Sequence, residues 1–448
     1  MGRRVRPFVA LAAAVLATVV VLARLPARVV ALRMWLFGRI NGDEGVAVPG
    51  PLVDASRFRE VYGHPAADGR SRGAALSDLF WYWLSPGAEV HQEHLEPGPR
   101  YDEVARTTRR MLALPADRVA DLVARHAADT LAGIERARRV RLRDLAMPLW
   151  AAVFAEIVFG ASCSRQTRDL IVANADDVVT ALKCTGLRHM DRRHRLTRHL
   201  EARLGDVAHD LPACLTPREQ ALYLQGTYFN TAVVQMSEAT AHVLMVLAAH
   251  PGLQADVAAA PDNEGLLGRV VDETLRLYPL FGVAHRITSA DIAVDGTTLP
   301  AGSVLCFNYP VFHRAGYDEP DRFDPGRWER CSSRDANFIP FGVASNRPCP
   351  AWHLAPIALR AAVREVLGRA LLTTAASHTR SLPNRGPCLV VPRGASPPPR
   401  TALAAQRLQD RAEDAGRSVV QLVLGTYMVW DARRQALCRR HFAGEAPG

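Results

Sequence analysis

The tripeptide Pro348-Cys349-Pro350 constrains this 448-residue chain more than any other stretch. Each proline fixes a backbone angle and removes an N–H, so the cysteine sits on a stiff loop. Phe341-Gly342 lies upstream, Arg347 stands two residues before the cysteine, and an Ala/Leu-rich helical pattern runs from Ala351 to Leu371. Amides at the start of that helix and the charge of Arg347 both favour a thiolate. Such a loop reads either as a turn burying a structural thiol or as a mount for a sulfur ligand. The residues upstream decide between the two.

Glu273 and Arg276 stand at i and i+3 in a helical pattern from Val270 to Leu280, where they share a face and can pair. Leu277-Tyr278-Pro279, Ala284-His285-Arg286, Val294-Asp295-Gly296 and Leu299-Pro300-Ala301-Gly302 follow, in the order helix, strand, tight turn, strand. His313-Arg314 comes next, then Pro325 with Arg327, then the cysteine loop. In this order and spacing, residues 51–395 resemble the cytochrome P450 family, as an atypical, bacterial-like member. The family's loop reads Phe-x-x-Gly-x-Arg-x-Cys-x-Gly. Here one extra residue lies between Phe341 and Arg347, Ala344 or Ser345 replaces the usual Gly, and Ala351 replaces the Gly after the cysteine.

The resemblance implies a mainly α fold with a small β region, and haem b whose iron takes Cys349 as its metal ligand. It implies that Phe341 lies against the haem, and that Arg110, Arg286, Arg347 and His313 face its propionates. Arg110 belongs to a basic helical segment, Asp102 to Leu114, that also carries Arg106 and Arg109. Glu273, Arg276 and Arg327 would form a structural triad behind the loop. The implied activity is that of a monooxygenase: one dioxygen atom inserted into an organic substrate, with electrons from a separate ferredoxin or flavin reductase.

Gln220 to His250 reads as a long apolar helix ending before Pro251, in the place of the family's distal helix. Alignment back from Pro251 puts Val234 and Gln235 where the family carries an acid and an alcohol that relay protons. Shifting the register to make Gly226 the kink puts Tyr228 and Phe229 there instead. Neither restores the pair. The alternatives are therefore peroxide use, protons from the substrate, rearrangement without oxygen activation, or a catalytically silent haem-binding partner protein. Before this helix, His91 and His94 flank Glu93, which opens a metal-site reading; with no second His/Cys pair downstream, a polar loop over a substrate pocket fits better.

The N-terminus carries arginines at 3, 4 and 6, an uncharged run from Phe8 to Ala23, and more arginines from Arg24 to Arg39. Residues 1–39 read as a membrane anchor and juxtamembrane segment, with a cleaved signal peptide as the competing reading. The excess of downstream arginine puts the catalytic domain on the cytoplasmic side. Residues 40–50 read as a Gly-rich linker and 51–395 as the haem domain. Residues 396–448 read as a Pro-rich linker and helical extension, whose apolar patch from Val419 to Trp430 suits a membrane interface, a partner or packing on the domain. The anchor and the apolar distal helix suggest a lipophilic small-molecule substrate. The net charge of +10 comes almost wholly from Arg interspersed with acids, since Lys183 is the only lysine. Nucleic acid is therefore not an expected partner. Eight cysteines without CxxC spacing suit a reduced compartment.

Overall fold

The computed structural model describes residues 44–444, apart from 261–262, 333, 377, 379–381, 383 and 396–398, and scattered positions between 13 and 40. Most of the apolar run Phe8–Ala23 and the Pro-rich linker at 396–398 lie outside the described residues. Helices α1 (Ala75–Leu84), α2 (Pro99–Leu112), α3 (Ala116–Leu131), α4 (Leu142–Phe159) and α5 (Arg165–Leu182) precede the central helix α6 (Pro217–Ala249). After it come α7 (Glu264–Leu277), α8 (Leu354–Arg369), α9 (Arg400–Gln435) and α10 (Leu437–Ala443), with short helical turns between. The β region is two three-stranded sheets and a hairpin, so the chain is mainly α, as expected.

The start of α6 is fixed by a reciprocal capping box between Thr216 and Glu219 with Pro217 in the first turn, and its end precedes Pro251. Residues 225–232 widen into π-helical turns. From Val233 to Ala248 every residue except Gln235 is buried. Among the described residues α6 is the one helix long and apolar enough to cross a membrane, yet it lies inside the protein. It packs on α4, where Trp150 Nε1 donates to Thr240 Oγ1 at 3.0 Å. The buried Glu238 lies 2.8 Å from Arg143 and 2.9 Å from Lys183. Burial pushes its carboxyl up, but the two cations outweigh that and hold it down at about 2. The single lysine of the chain is thus spent inside the fold.

Strands β1 (Val46–Val48), β3 (Val283–Ile287) and β6 (Val304–Asn308) form one sheet, with β1 parallel and β3 antiparallel to β6. Strands β2 (Arg138–Arg141), β7 (Ala370–Thr373) and β8 (Pro387–Pro392) form the second, and β4 (Ile292–Val294) with β5 (Thr297–Leu299) the hairpin. β1 falls in the segment expected to be a linker. Its valines suit a strand, β6 offers an edge, and Glu44 just before it accepts from the amides of Ala75 and Leu76, both at 2.7 Å. The packed domain therefore begins by Glu44 and not at Pro51.

The C-terminal extension is part of the same body. Arg139 and Arg141 on β2 pair with Asp410 and Glu413 on α9. Further along, Gln421 donates to Lys183 O (2.7 Å), and Tyr82 on α1 donates to Asp431 (2.9 Å). Met428, Val429 and Ala432 pack with Leu79, Tyr82 and Trp83. Asp78, fully buried on α1, accepts from the amides of Cys438 (3.0 Å) and Arg439 (3.2 Å) at the start of α10 and from Arg439 Nε (2.7 Å). One face of the extension is thus committed to the domain.

Glu273 and Arg276 on α7 are fully buried, with a bidentate pair at 2.8 and 2.9 Å. Arg327 Nε lies 3.5 Å from Glu273 Oε1. Arg276 also donates to the carbonyls of His313 (3.1 Å) and Pro320 (2.8 Å), tying α7 to the segment that leads into the cysteine loop. Replacing one partner leaves a buried charge without its counter-ion. Glu273→Gln is expected to cost about 3–5 kcal/mol, seen as a lower urea midpoint; an unchanged midpoint would remove the triad from the scaffold.

Candidate functional site

The cysteine loop is held by its own backbone. Cys349 N–H donates to Phe341 O (2.9 Å), Gly342 N–H to Ile339 O (3.0 Å) and Asn346 N–H to Val343 O (3.1 Å). The residue extra to the usual spacing is absorbed in the turn from Val343 to Asn346. Gly342 has φ of +77°, and an added Cβ there would stand 3.3 Å from the Tyr62 hydroxyl. Arg347 also has positive φ, at +50°. The turn aims Asn346 inward, where its Nδ2 donates to Tyr62 O and Ala67 O, both at 2.8 Å.

Burial pushes the Cys349 thiol up to about 11; the Ala351 amide lowers it and Glu93 raises it further. The sequence favours a thiolate because of Arg347 and the helix that follows. In the fold Arg347 turns the other way: Nη1 donates to Leu95 O (2.6 Å) and Gln92 O (3.3 Å), and its guanidinium lies 3.6 Å over the Tyr101 ring. Desolvation therefore outweighs the nearby dipoles, and a cation bound to the sulfur is what would draw off its proton.

Three guanidiniums meet beside the loop. Arg70, almost fully buried, donates from Nη2 to Asn346 Oδ1 (2.8 Å), and its Nη1 lies 3.7 Å from Glu93. Arg286 on β3 donates to the Tyr62 hydroxyl (2.9 Å) and His285 O (2.8 Å) and lies 3.9 Å from the same carboxylate. Arg347 completes the group. Glu93 is deep in the protein, where burial pushes its carboxyl up against the pull of His91 and Arg347. Its side chain nevertheless keeps 36% of its accessible surface. Glu96, the other nearby acid, is taken up by the amides of Arg70, Ser71 and Arg72. Arg70 Nε and Nη1 and Arg286 Nε have no hydrogen-bond partner among the described residues.

Two expected propionate partners lie elsewhere. Arg110 is on the outer face of α2, donating to Asp210 O (2.9 Å). The phase of the helix decides this: Val104, Ala105, Thr108 and Met111 face inward, so Arg106, Arg109 and Arg110 face solvent. His313 is fully buried in the scaffold, where its Nε2 accepts from Ile339 N–H (3.1 Å) and its carbonyl accepts from Arg276. Phe341 is partly buried and contributes the carbonyl that closes the loop.

On α6, Val234 packs into the core, so its place in the sequence does not put it at an open site. Thr231, Ala232 and Gln235 instead keep accessible surface on an otherwise buried helix and share one face. Thr231 Oγ1 is 2.8 Å from His91 Nε2. Glu93 N–H donates to His91 Nδ1 (3.2 Å), and burial lowers the His91 pKa. A neutral imidazole that accepts at Nδ1 carries its proton on Nε2 and donates it to Thr231. The polar loop of residues 91–94 is thus fastened to the central helix. No group of three His, Cys, Asp or Glu placed to hold a metal occurs among the described residues.

The residues present fit a haem. Two buried cations, Arg70 and Arg286, and the partly buried Arg347 face one carboxylate, so the group carries excess positive charge and unpartnered donors, as two propionates require. Cys349, on the loop beside them, keeps accessible surface. Sequence reasoning missed Arg70, Asn346, Tyr101 and Thr231. Arg70 lies in a loop with no motif, and only the pairing of Gly69 with Ile287 beside Arg286 brings it in.

Residues 226–372 match the family model described as cytochrome P450. A mycobacterial protein named as cytochrome P450 135B1 (Mycobacterium tuberculosis) is 28% identical over 183 residues, covering 38% of this chain and 39% of that protein. The cyclooctat-9-en-7-ol 5-monooxygenase of Streptomyces melanosporofaciens is 33% identical over 141 residues, 26% of this chain and 30% of that one. The chain thus spans about two fifths or less of the length of these curated relatives. In fold, a six-coordinated cytochrome P450 from Thermus thermophilus superposes with a TM-score of 0.60 at 20% identity, covering 74% of this chain and 90% of that one. A zebrafish cytochrome P450 crystallised with abiraterone gives 0.63 at 19% identity, covering 76% and 92%. The matched segment holds α6 from Gly226 onward, the buried Glu273–Arg276 pair and Cys349, and over about three quarters of its length the chain has the fold of these cytochrome P450 structures.

Proposed function

We propose that this chain is a haem-thiolate monooxygenase that oxidises a lipophilic small molecule, using dioxygen and electrons from a separate ferredoxin or flavin reductase. The observation that carries the reading is the gathering of three guanidiniums, two of them buried, beside the Cys349 loop, bordering the space the haem would fill. Haem b, when bound, supplies the iron centre at which oxygen chemistry takes place. Cys349 would be its axial ligand, fixed in direction by Pro348, Pro350 and the bond to Phe341 O. Arg70, Arg286 and Arg347 would neutralise the propionates, with Tyr101 and Tyr62 holding two of the guanidiniums in plane. The buried, apolar α6 would exclude water and favour a lipophilic substrate. Residues 1–39 would anchor the protein, with the domain on the cytoplasmic side.

A second reading, with peroxide or the substrate itself supplying what the usual acid and alcohol do, is favoured by Val234 lying in the core. Gln235 on the open face has a neutral amide, a poor proton donor. The hydroxyl that stands on that face is Thr231. With His91 donating to its oxygen, the Thr231 proton is left to point into the space, so we assign proton delivery to this pair.

Three outcomes follow from these assignments. Reduced protein treated with carbon monoxide is expected to show the long-wavelength absorbance of a sulfur-ligated haem, and Cys349→Ser to lose it; an unchanged band in the variant refutes the ligand assignment. Arg70→Leu is expected to speed haem transfer to an acceptor apoprotein roughly tenfold, since a lost charge-assisted bond is worth about 1.5–3 kcal/mol; equal rates would take Arg70 out of the cofactor site. Thr231→Val is expected to lower product formation about 10²-fold at unchanged haem content, while reductant consumption continues as released peroxide. Full coupling in that variant would take Thr231 out of proton delivery, and product formed with peroxide and no reductant would favour the peroxide reading.

A further inference from the structure

The outer face of α9 carries an apolar stripe that the domain does not cover. Val419, Val423, Tyr427 and Trp430 recur at i, i+4, i+8 and i+11, with Val420 flanking them, and all are exposed. Val423 keeps 61% and Trp430 53% of its surface. Four residues at that spacing line one side of a helix over about 17 Å. The opposite side is already used: Ser418, Gln421, Met428, Val429 and Ala432 are buried against the domain. From Ser418 to Trp430 there is no charged residue. Asp431, which follows, is turned inward and held by Tyr82, Arg434 and Gln435, so it presents no negative charge outward.

The ends of the stripe indicate what covers it. Tyr427 and Trp430 sit together at one end, 6.1 Å between ring centroids, and the Arg434 guanidinium lies 5.7 Å from the Trp430 ring. Aromatic rings capped by arginine suit the boundary between acyl chains and headgroups. A second observation concerns the other terminus. Ile40 packs against a cluster to which the inner side of this same helix contributes Met428, Val429 and Ala432, beside Leu79, Tyr82 and Trp83 of α1. The chain leading back from Ile40 exposes Trp35 and Leu32, and it continues to the uncharged run Phe8–Ala23. The segment proposed to enter the bilayer therefore joins the domain at α9, next to the stripe.

We infer that the outer face of α9 is a second membrane contact, lying in the lipid interface with Val423, Tyr427 and Trp430 among the acyl chains and Arg434 at the headgroups. The contact would set the tilt of the domain on the bilayer, because a single anchor leaves rotation free and a helix held by Asp410, Glu413 and Asp431 does not. It rests on reading Phe8–Ala23 as an anchor. The test uses the full-length chain with a photoreactive phenylalanine analogue at position 423, or at the exposed polar position 409, mixed with vesicles of phosphatidylcholine and phosphatidylglycerol. Flotation measures attachment, and irradiation measures what touches each position. The expected result is flotation of both proteins, with at least fivefold more lipid adduct from 423 than from 409. Flotation with equal adducts overturns the inference and leaves the anchor standing. Adducts from 423 to a second protein chain overturn it in favour of a protein interface. Failure to float removes the anchor and the inference together.

Discussion

Buried positive charge that the chain does not itself neutralise is the constraint on which this structure turns. Arg70, Arg286 and Arg347 gather around Glu93 in a region where each uncompensated guanidinium is costly. The fold meets part of that cost with carbonyls of Gln92, Leu95 and His285, the hydroxyl of Tyr62, the amide oxygen of Asn346 and the ring of Tyr101. What is left over, donors of Arg70 and Arg286 without a hydrogen-bond partner among the described residues, suits an anionic ligand. The rigid sulfur loop and the cation cluster are built from the same residues, since Asn346 and Arg347 belong to both. Placing the cofactor and folding the loop are therefore one problem with one solution.

The central helix carries the opposite character. Apart from Gln235, its residues from Val233 to Ala248 are buried, and its few polar side chains, Ser237, Thr240 and Glu238, are satisfied within the core. The π-helical turns at 225–232 open its N-terminal half, and there His91 reaches Thr231. Wide turns free the backbone from regular pairing and let side chains take directions a regular helix denies them. The hydroxyl with open surface on this helix, Thr231, thus stands about one turn N-terminal to Gln235.

The C-terminal extension is built in through buried acids. Asp78 and Asp410 each receive partners from across the α9–α10 and β2 contacts, and such burial is hard to reverse piecemeal. That commitment of one face is what leaves the other face of α9 with a fixed direction in space.

Sequence alone determined the order of the motifs, and with it the resemblance that led to the mainly α class, because glycine, proline and paired-charge signals act over a few residues. It also determined that Glu273, Arg276 and Arg327 could pair and that Arg286, Arg347 and Cys349 belong near one another. Register along α2 and α6 was beyond it: whether Arg110 or Ala105 faces inward, or Val234 rather than Gln235, depends on a rotation of 100° per residue that only neighbouring helices fix. The place of Arg70, and the meeting of Glu93 with the arginines, escaped it for a different reason. Each lies in a loop without periodicity, and they meet Arg286 and Arg347 from sequence distances of some 200 residues or more, through the pairing of Gly69 with Ile287 and the closure of the cysteine loop. Local chemistry can be read along the chain; where two distant charges share a buried space is decided by packing.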